Sequence, residues 1–398
     1  MAGIEPDHTE IRTEFGSSGS NQSGMRAHNE RLVLTILRRH GALPKATIAR
    51  ITGLSAQTVS VIMRALEADG LIARGEKLRG KIGQPSVPMQ LNPDGALFLG
   101  LKVGRRSAEL TLVDFVGQVR AHDSRTYRFP TPVETLAFVQ SATAAMLDEL
   151  PDDLRQRVSG MGIAIPYFLW EWAETIGIDP TEMAAWKDFD LRKEVATMFD
   201  FPVYLGNDAT SACGAELVFG TSDLPSDFLY VYIGYFVGGG VVLNGSVYEG
   251  SRGNAGAIGP FPVIDSRGVP RQLVDVASLI GLERRQAEAH GDVSALWDNP
   301  DIWDINRDIV DDWLDEAIPA LATTVLGTVS IIDFPRVVVD GQLPEPLRAE
   351  IVARIDQELR QRNLSGLTAP DITQGTIGRR ARSLGAASLP LARKFMLE

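Results

Sequence analysis

The sequence predicts an α/β protein with two parts: a small N-terminal unit of three helices and a β-hairpin, followed by a larger body of two α/β lobes. In residues 29–91, three helical patterns precede two short strand patterns. From Ala96 onward, a run of strands is followed by helices, and the same order begins again near Asp227. With 398 residues and 44% apolar side chains, the chain is long enough for two or three domains.

Residues 55–69 show the periodicity of a helix with one buried face. Apolar residues recur at i, i+3, i+4 and i+7, namely Val59, Ile62, Met63 and Leu66. Ser55 stands just before this helix and can cap its free N–H groups. A tight turn at Gly53 connects it to a shorter helix, Lys45–Thr52, which packs beside it. The residues of the shorter helix that are predicted to point inward are Ile48 and Ile51.

The outer face of the helix at 55–69 carries small and polar side chains. Such a helix can enter the DNA major groove with its N-terminal side chains at the base edges. The alternative is an ordinary helical hairpin, because this pattern also arises in all-α domains. If the helix binds DNA, the predicted contact residues on it are Ser55, Ala56, Gln57, Thr58, Ser60 and Arg64.

A basic hairpin directly after this helix favours DNA binding over the alternative. Residues 71–74 and 87–91 are predicted strands on either side of a loop at 75–86. Such a hairpin resembles the wing of a winged helix, which contacts phosphates or the minor groove. The predicted contact residues in the hairpin are Arg74, Lys77, Arg79, Lys81 and Gln84.

The charge of the chain is divided between its parts. The net charge is −12, but residues 25–90 hold eleven Lys and Arg against four Asp and Glu and carry +7. Residues 1–24 carry −3, which leaves −16 on residues 91–398. A basic module on an acidic body is expected when only the module contacts DNA. The body is then expected to bind a small molecule or another copy of itself.

Composition and turn signals predict the domain boundaries. Residues 1–24 end in a Gly/Ser-rich tract and are predicted to be a flexible tail. Residues 25–91 form the predicted DNA-binding domain, which ends before the turn Asn-Pro-Asp-Gly at 92–95. The first lobe is predicted at 96–220 and the second at 227–384, with one long helix over 273–290.

The remaining composition excludes several classes of protein. The single cysteine, Cys213, excludes an internal disulfide and a cysteine-cluster metal site. The acidic N-terminus lacks the apolar core of a signal peptide, so a cytoplasmic protein is expected. No apolar run approaches the length of a membrane span, and no membrane partner is expected.

Several segments of the body occur in a characteristic order, at residues 99–114, 160–166, 186–220, 238–240, 244–245 and 253–259. Their order and spacing resemble the ROK family (repressors, open reading frames, sugar kinases). The resemblance is specifically to its branch of transcriptional regulators, which includes xylose and N-acetylglucosamine repressors. It implies a two-lobed actin-like fold, that is, a duplicated RNase H-like fold of the sugar-kinase type. It also implies that the C-terminal helix, at about 385–398, completes the first lobe.

The resemblance assigns a sugar-binding cleft to the body. In kinases of the family, the Asp of an Asn-Asp motif accepts the proton of the sugar hydroxyl, and Asp208 after Asn207 matches that position. The alternative is that Asp208 only begins a helix, where the helix dipole favours a carboxylate.

Departures from the kinase pattern predict that the body does not bind ATP. Lys102 and Arg106 replace an Asp that helps to hold Mg²⁺ and a Thr that lies at the phosphates. Aromatic residues lie in the second phosphate loop at 234–238, and Asp340 replaces the first Gly of a Gly-Gly pair at the nucleotide. We therefore expect a body that is not an enzyme.

The zinc and sugar positions of the family are also altered. Pro260 replaces the zinc-binding His, and residues 265–276 contain no Cys, so no zinc is expected. Ala257 and Val274 replace carboxylates that accept hydrogen bonds from sugar hydroxyls. The residues predicted to line an effector site are Tyr167, Asn207, Asp208, Tyr235, Arg252, Asn254 and Ala257.

Three functions are compatible with this sequence. The first is a repressor of carbohydrate or polyol uptake and catabolism genes, which binds a palindromic operator as a dimer or tetramer and senses a sugar-like effector through its body. The second is a sugar kinase with an appended domain. The third is a ligand-independent repressor whose body only dimerises. We expect the first.

Overall fold

The N-terminal unit is a bundle of three helices with a two-stranded antiparallel hairpin. The computed structural model describes residues 22–75, 87–173, 177–221, 223–297 and 303–397 of the chain. The elements of the unit are α1 (Gln22–His40), α2 (Lys45–Thr52), α3 (Ala56–Ala68), β1 (Ile72–Arg74) and β2 (Met89–Leu91). This order of elements is that of a winged helix, which confirms the predicted architecture of the unit.

Helix α1 begins earlier than the sequence indicated. The prediction placed its start at residue 29 and a flexible tail over residues 1–24, but the helix begins at Gln22. Arg26 Nε lies 2.8 Å from Glu30 Oε1, four residues further on, and this ion pair supports the first turns. The end of the predicted tail is therefore helical, and residues 1–21 lie outside the described part of the chain.

The first lobe contains a mixed five-stranded sheet. Its elements are β3 (Leu97–Val103), β4 (Ser107–Asp114), β5 (Val119–Thr126), α4 (Pro132–Asp148), α5 (Asp152–Arg155), β6 (Val158–Ile165), α6 (Pro180–Met183), α7 (Leu191–Ala196), β7 (Val203–Asn207) and α8 (Asp208–Phe219). The strand order is β5-β4-β3-β6-β7, with β3, β6 and β7 parallel to each other. Strand β3 is buried along its whole length because the sheet is covered on both faces.

The second lobe contains another mixed five-stranded sheet and a small hairpin. Its elements are β8 (Phe228–Ile233), β9 (Val237–Leu243), β10 (Ser246–Val247), β11 (Pro262–Ile264), β12 (Pro270–Gln272), α9 (Leu273–Ala277), α10 (Leu279–His290), α11 (Arg307–Ile332), β13 (Arg336–Gly341), α12 (Glu345–Gln361) and β14 (Asp371–Gln374). The order in the sheet is β10-β9-β8-β13-β14, and β11 pairs with β12. A final helix, α13 (Ala381–Phe395), ends the chain.

The two large sheets have the same topology. In each, three consecutive antiparallel strands are followed by two parallel strands that extend the sheet beside the first strand, which gives the order 3-2-1-4-5 within each lobe. The chain therefore repeats one mixed α/β unit. This finding confirms the predicted duplicated, actin-like fold class.

One long helix that the sequence predicted, at 273–290, is two helices. The backbone is extended at Ser278, between α9 and α10, and its hydroxyl accepts a hydrogen bond of 2.8 Å from the N–H of Val237. The N–H groups of Leu279 and Ile280 donate to the carbonyls of Gly234 and Tyr235. The helix is interrupted because its second half begins on the β8–β9 turn.

Helix α11 is the one helix of the described residues that is long and apolar enough to span a membrane by length and composition. Its Trp313, Leu314 and Ala317 are fully buried, and they belong to the core of the second lobe. The core helix of a folded lobe passes the same test, so the composition of α11 does not indicate a membrane span.

Helix α13 packs on the sheet of the first lobe through glycines. A Cβ atom added to Gly162 of β6 would overlap the carbonyl oxygen of Ala386, and one added to Gly100 of β3 would overlap that of Ser383. Gly385 of α13 approaches the Ser211 carbonyl of α8 in the same way. The backbones of α13, β3, β6 and α8 are therefore closer than side chains would allow.

The N-terminal unit shares a hydrophobic core with the first lobe. Val33 and Leu37 of α1 belong to the same buried cluster as Phe98, Phe115 and Phe395. The ring of Phe395 lies 5.0 Å from that of Phe115 and 5.9 Å from that of Phe98, centroid to centroid. The end of α13 therefore packs at the junction between the two parts of the chain.

Arg38 of α1 is half-buried in this junction. Its guanidinium donates to the carbonyl of Phe115 and lies 5.3 Å from the centroid of the Phe115 ring. Burial lowers the pKa of Arg38 to about 10. Further hydrogen bonds across the junction join Arg157 to the Asp69 carbonyl at 2.6 Å and the Leu397 N–H to Thr35 Oγ1 at 3.2 Å.

Candidate functional site

Helix α3 is positioned by its first turn and by its apolar face. Ser55 Oγ accepts a hydrogen bond of 3.1 Å from the N–H of Thr58, which caps the helix as predicted. The side chains of the predicted inner face are all buried, namely Val59, Ile62, Met63 and Leu66. The opposite face is thereby held towards solvent.

The predicted contact residues lie together on this outer face. Ser55, Ala56, Gln57 and Arg64 are exposed, and Thr58 and Ser60 are half-buried. Ser60 Oγ donates to the Ala56 carbonyl at 2.8 Å, and Arg64 Nε donates to the Ser60 carbonyl at 3.2 Å. Within the described part of the chain, the Gln57 amide makes no hydrogen bond, so both its donor and its acceptor are available to a ligand.

The strands of the predicted wing are present. Ile72, Ala73 and Arg74 of β1 pair with Leu91, Gln90 and Met89 of β2, and an isolated bridge joins Leu43 to Met89. Arg74 is exposed, and its Nε lies 2.8 Å from Glu67 Oε1. Four of the predicted wing contacts lie outside the described residues: Lys77, Arg79, Lys81 and Gln84.

One residue of the N-terminal unit that was predicted to point inward is exposed. Ile48 is fully buried as predicted, but Ile51 is 43% exposed. Helix α2 ends at Thr52, and Gly53 then turns the chain in the left-handed region, with φ of 68°. Ile51 lies at this end of the helix, beyond the core that Ile48 joins.

A cavity of about 150 Å³ lies between the two lobes. The first lobe contributes Tyr167, Asn207 and Asp208 to its lining, and the second contributes Tyr235, Asn254 and Ala257. Six predicted effector residues are thus brought together. Arg252 is not among them, because its side chain is exposed on the loop before Asn254 and does not line the cavity.

Asn207 and Asp208 form the start of α8 and also line the cavity. Asn207 Oδ1 caps α8 by accepting hydrogen bonds from the N–H groups of Ala209 and Thr210, at 3.0 and 3.2 Å. Asp208 is the first residue of α8 and also lies 3.2 Å from the guanidinium of Arg382, Oδ2 to Nη1. Asp208 therefore begins α8 and also lines the interlobe cavity.

Arg382, Arg105 and Tyr232 also line the cavity, although none of them was predicted from the sequence. Arg382 Nη2 donates to Gln342 Oε1 at 3.1 Å, and its guanidinium lies 5.3 Å from the ring centroid of Tyr232. Burial opposes the charge of Arg382, but Tyr232 and Asp208 outweigh burial, and the pKa of the guanidinium is raised. Of these three residues, Arg105 could have been predicted from the sequence, because it lies between Gly104 and Arg106 of the first phosphate loop.

A second cavity, of about 360 Å³, lies on the α8 side of the cleft. It shares Tyr167 and Asn207 with the first cavity, but it is not lined by Asp208, Tyr235, Asn254 or Ala257. The smaller cavity contains more of the predicted polar residues, and we take it as the candidate effector site for that reason.

Lys102 of β3 forms a buried ion pair with Glu109 of β4. Its Nζ lies 2.6 Å from Glu109 Oε1 and 2.9 Å from Ser107 Oγ, and its side chain is 4% exposed. Burial alone would raise the pKa of the Glu109 carboxyl, but Lys102 outweighs burial and lowers it to about 2. A cation therefore lies in the first phosphate loop, with its charge already paired.

Asp340 is a buried structural residue. Its carboxylate accepts hydrogen bonds from Tyr230 Oη at 2.9 Å and from the Gly378 N–H at 3.0 Å, and it pairs with Arg348 at 3.2 Å. Burial raises the pKa of Asp340. The carboxylate thus joins β13 to β8 and α12.

Lys102 places a cation in the β3–β4 hairpin, where Mg²⁺ would need oxygen ligands. The described residues contain no group of three or more His, Cys, Asp or Glu that could hold a metal ion, and Cys213 is buried in α8.

We expect Lys102→Met to destabilise the protein by about 3 kcal/mol, because it leaves Glu109 without its partner in a buried site. The double variant Lys102→Met/Glu109→Leu is expected to recover most of this loss. Urea unfolding measures both. Because the folded-state pKa of Glu109 lies below its ordinary value, the stabilisation should be present above about pH 4.5 and be lost as the pH falls towards 2. Equal stability of the two variants would contradict this account.

The fold and the two sites define a class: a winged-helix unit joined to a two-lobed body of the sugar-kinase type. The family model described as ROK family matches residues 98–393, and one described as winged helix-turn-helix DNA-binding matches residues 26–73. The chain belongs to the ROK family.

Proteins of similar sequence match between 60% and 92% of this chain. "Uncharacterized protein y4fQ" of Sinorhizobium fredii is 26% identical over 92% of this chain and 91% of its own length. The xylose repressor of Caldicellulosiruptor bescii is 24% identical over 60% of this chain, and the match spans 59% of the repressor. A solved ROK family transcriptional regulator, a homologue of the Escherichia coli MLC protein, has the same fold, with a TM-score of 0.64 and 20% identity over 92% of this chain and 96% of that one.

Proposed function

We propose that this protein is a DNA-binding transcriptional repressor of genes for carbohydrate or polyol uptake and catabolism. The observation that carries the proposal is the exposed polar face at the start of α3, capped at Ser55 and followed by a β-hairpin. The relative whose name is xylose repressor supports the class of regulated genes.

The DNA contacts follow from the geometry of α3 and the hairpin. Ala56, Gln57, Thr58, Ser60 and Arg64 lie on the face that would contact base edges in the major groove, with Gln57 suited to adenine. The wing would contact phosphates through Arg74, Lys77, Arg79 and Lys81. Two copies would present two such helices to a palindromic operator, so a homodimer or tetramer is part of the proposal. We propose the cytoplasm as its location.

The body would act as a sensor that is not an enzyme. Lys102 paired with Glu109, Arg382 paired with Asp208, and the buried Asp340 support this proposal, because they fill the phosphate loops and engage the position of the catalytic base. The body would need neither ATP nor zinc. Incubation with Mg–ATP and hexoses is expected to form no ADP above a protein-free control, and saturable ADP formation would contradict this part.

Helix α13 would couple the cleft to the DNA-binding unit. Arg382 lies near its start and contacts Asp208, while Phe395 at its end packs in the core shared with α1. A helix of this length spans about 22 Å. A ligand that changes the contacts of Arg382 would then shift the end of α13, and such a differential interaction is what allosteric control requires.

Selection from a random duplex library with the purified full chain tests the proposal. We expect an enriched motif with two-fold symmetry, because two copies of α3 would contact two half-sites. The absence of any enriched motif after repeated rounds would contradict the proposal.

Lys81→Ala is expected to weaken binding to all duplexes alike, because a wing lysine would contact phosphate and not a base. Losing one phosphate contact should reduce the slope of log affinity against log salt by about 0.9. Fluorescence anisotropy over a salt series measures this slope. Lys187→Ala, which changes an exposed lysine of the body, is the control and should leave the slope unchanged.

A further inference from the structure

The lining of the interlobe cavity contains buried hydrogen-bond donors that have no partner. Among the described residues, Arg105 Nε, Arg382 Nε and Tyr232 Oη are buried and make no hydrogen bond. All three residues line the same cavity, and Tyr232 is 1% exposed. A buried donor left unsatisfied destabilises the protein, so such a cluster indicates a site for an acceptor.

Arg105 also brings a positive charge that is not paired. Its guanidinium donates to the carbonyl of Arg128 and lies 5.6 Å from the ring centroid of Tyr235. Within the described part of the chain, no carboxylate forms an ion pair with it. The neighbouring cations differ, because Lys102 pairs with Glu109 and Arg106 with Glu283 at 3.3 Å. The unpaired charge lies in the turn between β3 and β4, beside the cavity.

Among the described residues that line the cavity, Asp208 supplies the carboxylate, and Arg382 at 3.2 Å compensates it. On the opposite wall, Ala257 is apolar. Tyr235 and Tyr167 add flat apolar surfaces suited to a sugar ring. The cavity therefore combines a surplus of cationic donors with the walls of a carbohydrate site.

We propose that the cleft binds an anionic carbohydrate, a polyhydroxylated ligand with a carboxylate or a phosphate group held by Arg105 and Arg382. Guanidinium groups bind both anions through charge-assisted hydrogen bonds. This proposal rests on the proposed sensor function of the body and names the chemical class of its effector.

Isothermal titration of the full chain tests the proposal with matched ligands. Glucose, galactose and mannose are each compared as the neutral sugar, the uronate and the 6-phosphate, with inorganic phosphate as a further probe. At least one uronate or 6-phosphate should bind at least about tenfold more tightly than its neutral parent, since the charged hydrogen bonds are made only by the anion. Which series binds identifies carboxylate or phosphate as the anion.

Variants at adjacent arginines provide the matched control. Arg105→Gln should weaken binding of the anionic ligand about tenfold or more and leave binding of the neutral parent unchanged. Arg106→Gln, whose side chain pairs with Glu283 and does not line the cavity, should bind like the wild type. Arg382→Gln should weaken binding of the anionic ligand in the same way. If this variant unfolds because Asp208 loses its partner, the affinity of Arg105→Gln alone tests the proposal.

The proposal would be overturned by no binding across the panel, by equal binding of neutral and anionic members, or by anion binding that Arg105→Gln does not change. Binding of inorganic phosphate alone, without any sugar anion, would also overturn it, because the carbohydrate part would be wrong. The duplex selection needs no ligand. An enriched DNA motif together with any of these results would leave the proposed DNA-binding function intact.

Discussion

Gly162→Ala is expected to lower the free energy of unfolding by about 3 kcal/mol or more, because the new methyl group cannot be accommodated without moving a helix. The added Cβ would overlap the carbonyl oxygen of Ala386 in α13. The Cβ position is fixed by the backbone of β6, and the oxygen belongs to the backbone of α13. No side-chain rotation relieves this overlap. Urea unfolding of the full chain measures the loss.

Gly281→Ala is the control for this substitution. Gly281 lies within α10, and the nearest atom to its added Cβ is Arg285 Nη1 at 3.5 Å, an ordinary contact. In a helix interior, Gly→Ala stabilises by up to about 1 kcal/mol. Equal effects of the two substitutions would mean that α13 does not pack on β6 as described.

Phe395→Ala is expected to cost about 3 kcal/mol and to separate the unfolding of the N-terminal unit from that of the first lobe. The ring of Phe395 contacts Phe98 and Phe115 in the core that α1 shares with the lobe. Removing it opens a cavity at the junction of the two parts. In the wild type, we expect the N-terminal unit and the first lobe to unfold together in one calorimetric transition. Differential scanning calorimetry of the variant should instead show two transitions.

Phe395→Leu tests whether an apolar side chain of similar volume is sufficient to keep the two parts coupled. It should retain most of the stability and the single coupled transition, since Leu fills a large part of the space that Phe occupies. If the calorimetric unfolding profile of Phe395→Ala matched that of the wild type, α13 would not join the two parts. It could then not transmit a signal from the cleft to α3.

The elements that the sequence predicted well are those specified by local patterns. Ser55 and the apolar spacing in α3 define both the start and the buried face of that helix without help from the rest of the fold. The predicted 273–290 helix failed at Ser278, where hydrogen bonds to the β8–β9 turn compete with the helix. Strand β14 was missed because it holds a single large apolar residue, Ile372, and forms only by pairing with β13.

The same distinction applies to the cleft. Asn207 and Asp208 were found because they are adjacent and begin a helix. Arg382 lies 174 residues from Asp208, and only the packing of α13 on the first lobe brings it there. The available signal for Arg105 was its place in the altered phosphate loop, but nothing local indicated that Arg106 beside it would turn away to Glu283.

The central claim is that the exposed face of α3 contacts DNA bases. The measurement that tests it most directly is duplex selection with the wild type and with Gln57→Ala, both as full-length protein. Gln57 is exposed, so its replacement should leave the fold unchanged. We expect the preferred base to relax at one position in each half-site, with about 1–3 kcal/mol of discrimination lost there and the remaining positions retained. The same motif with the same base preferences from both proteins would contradict the placement of α3 in the major groove.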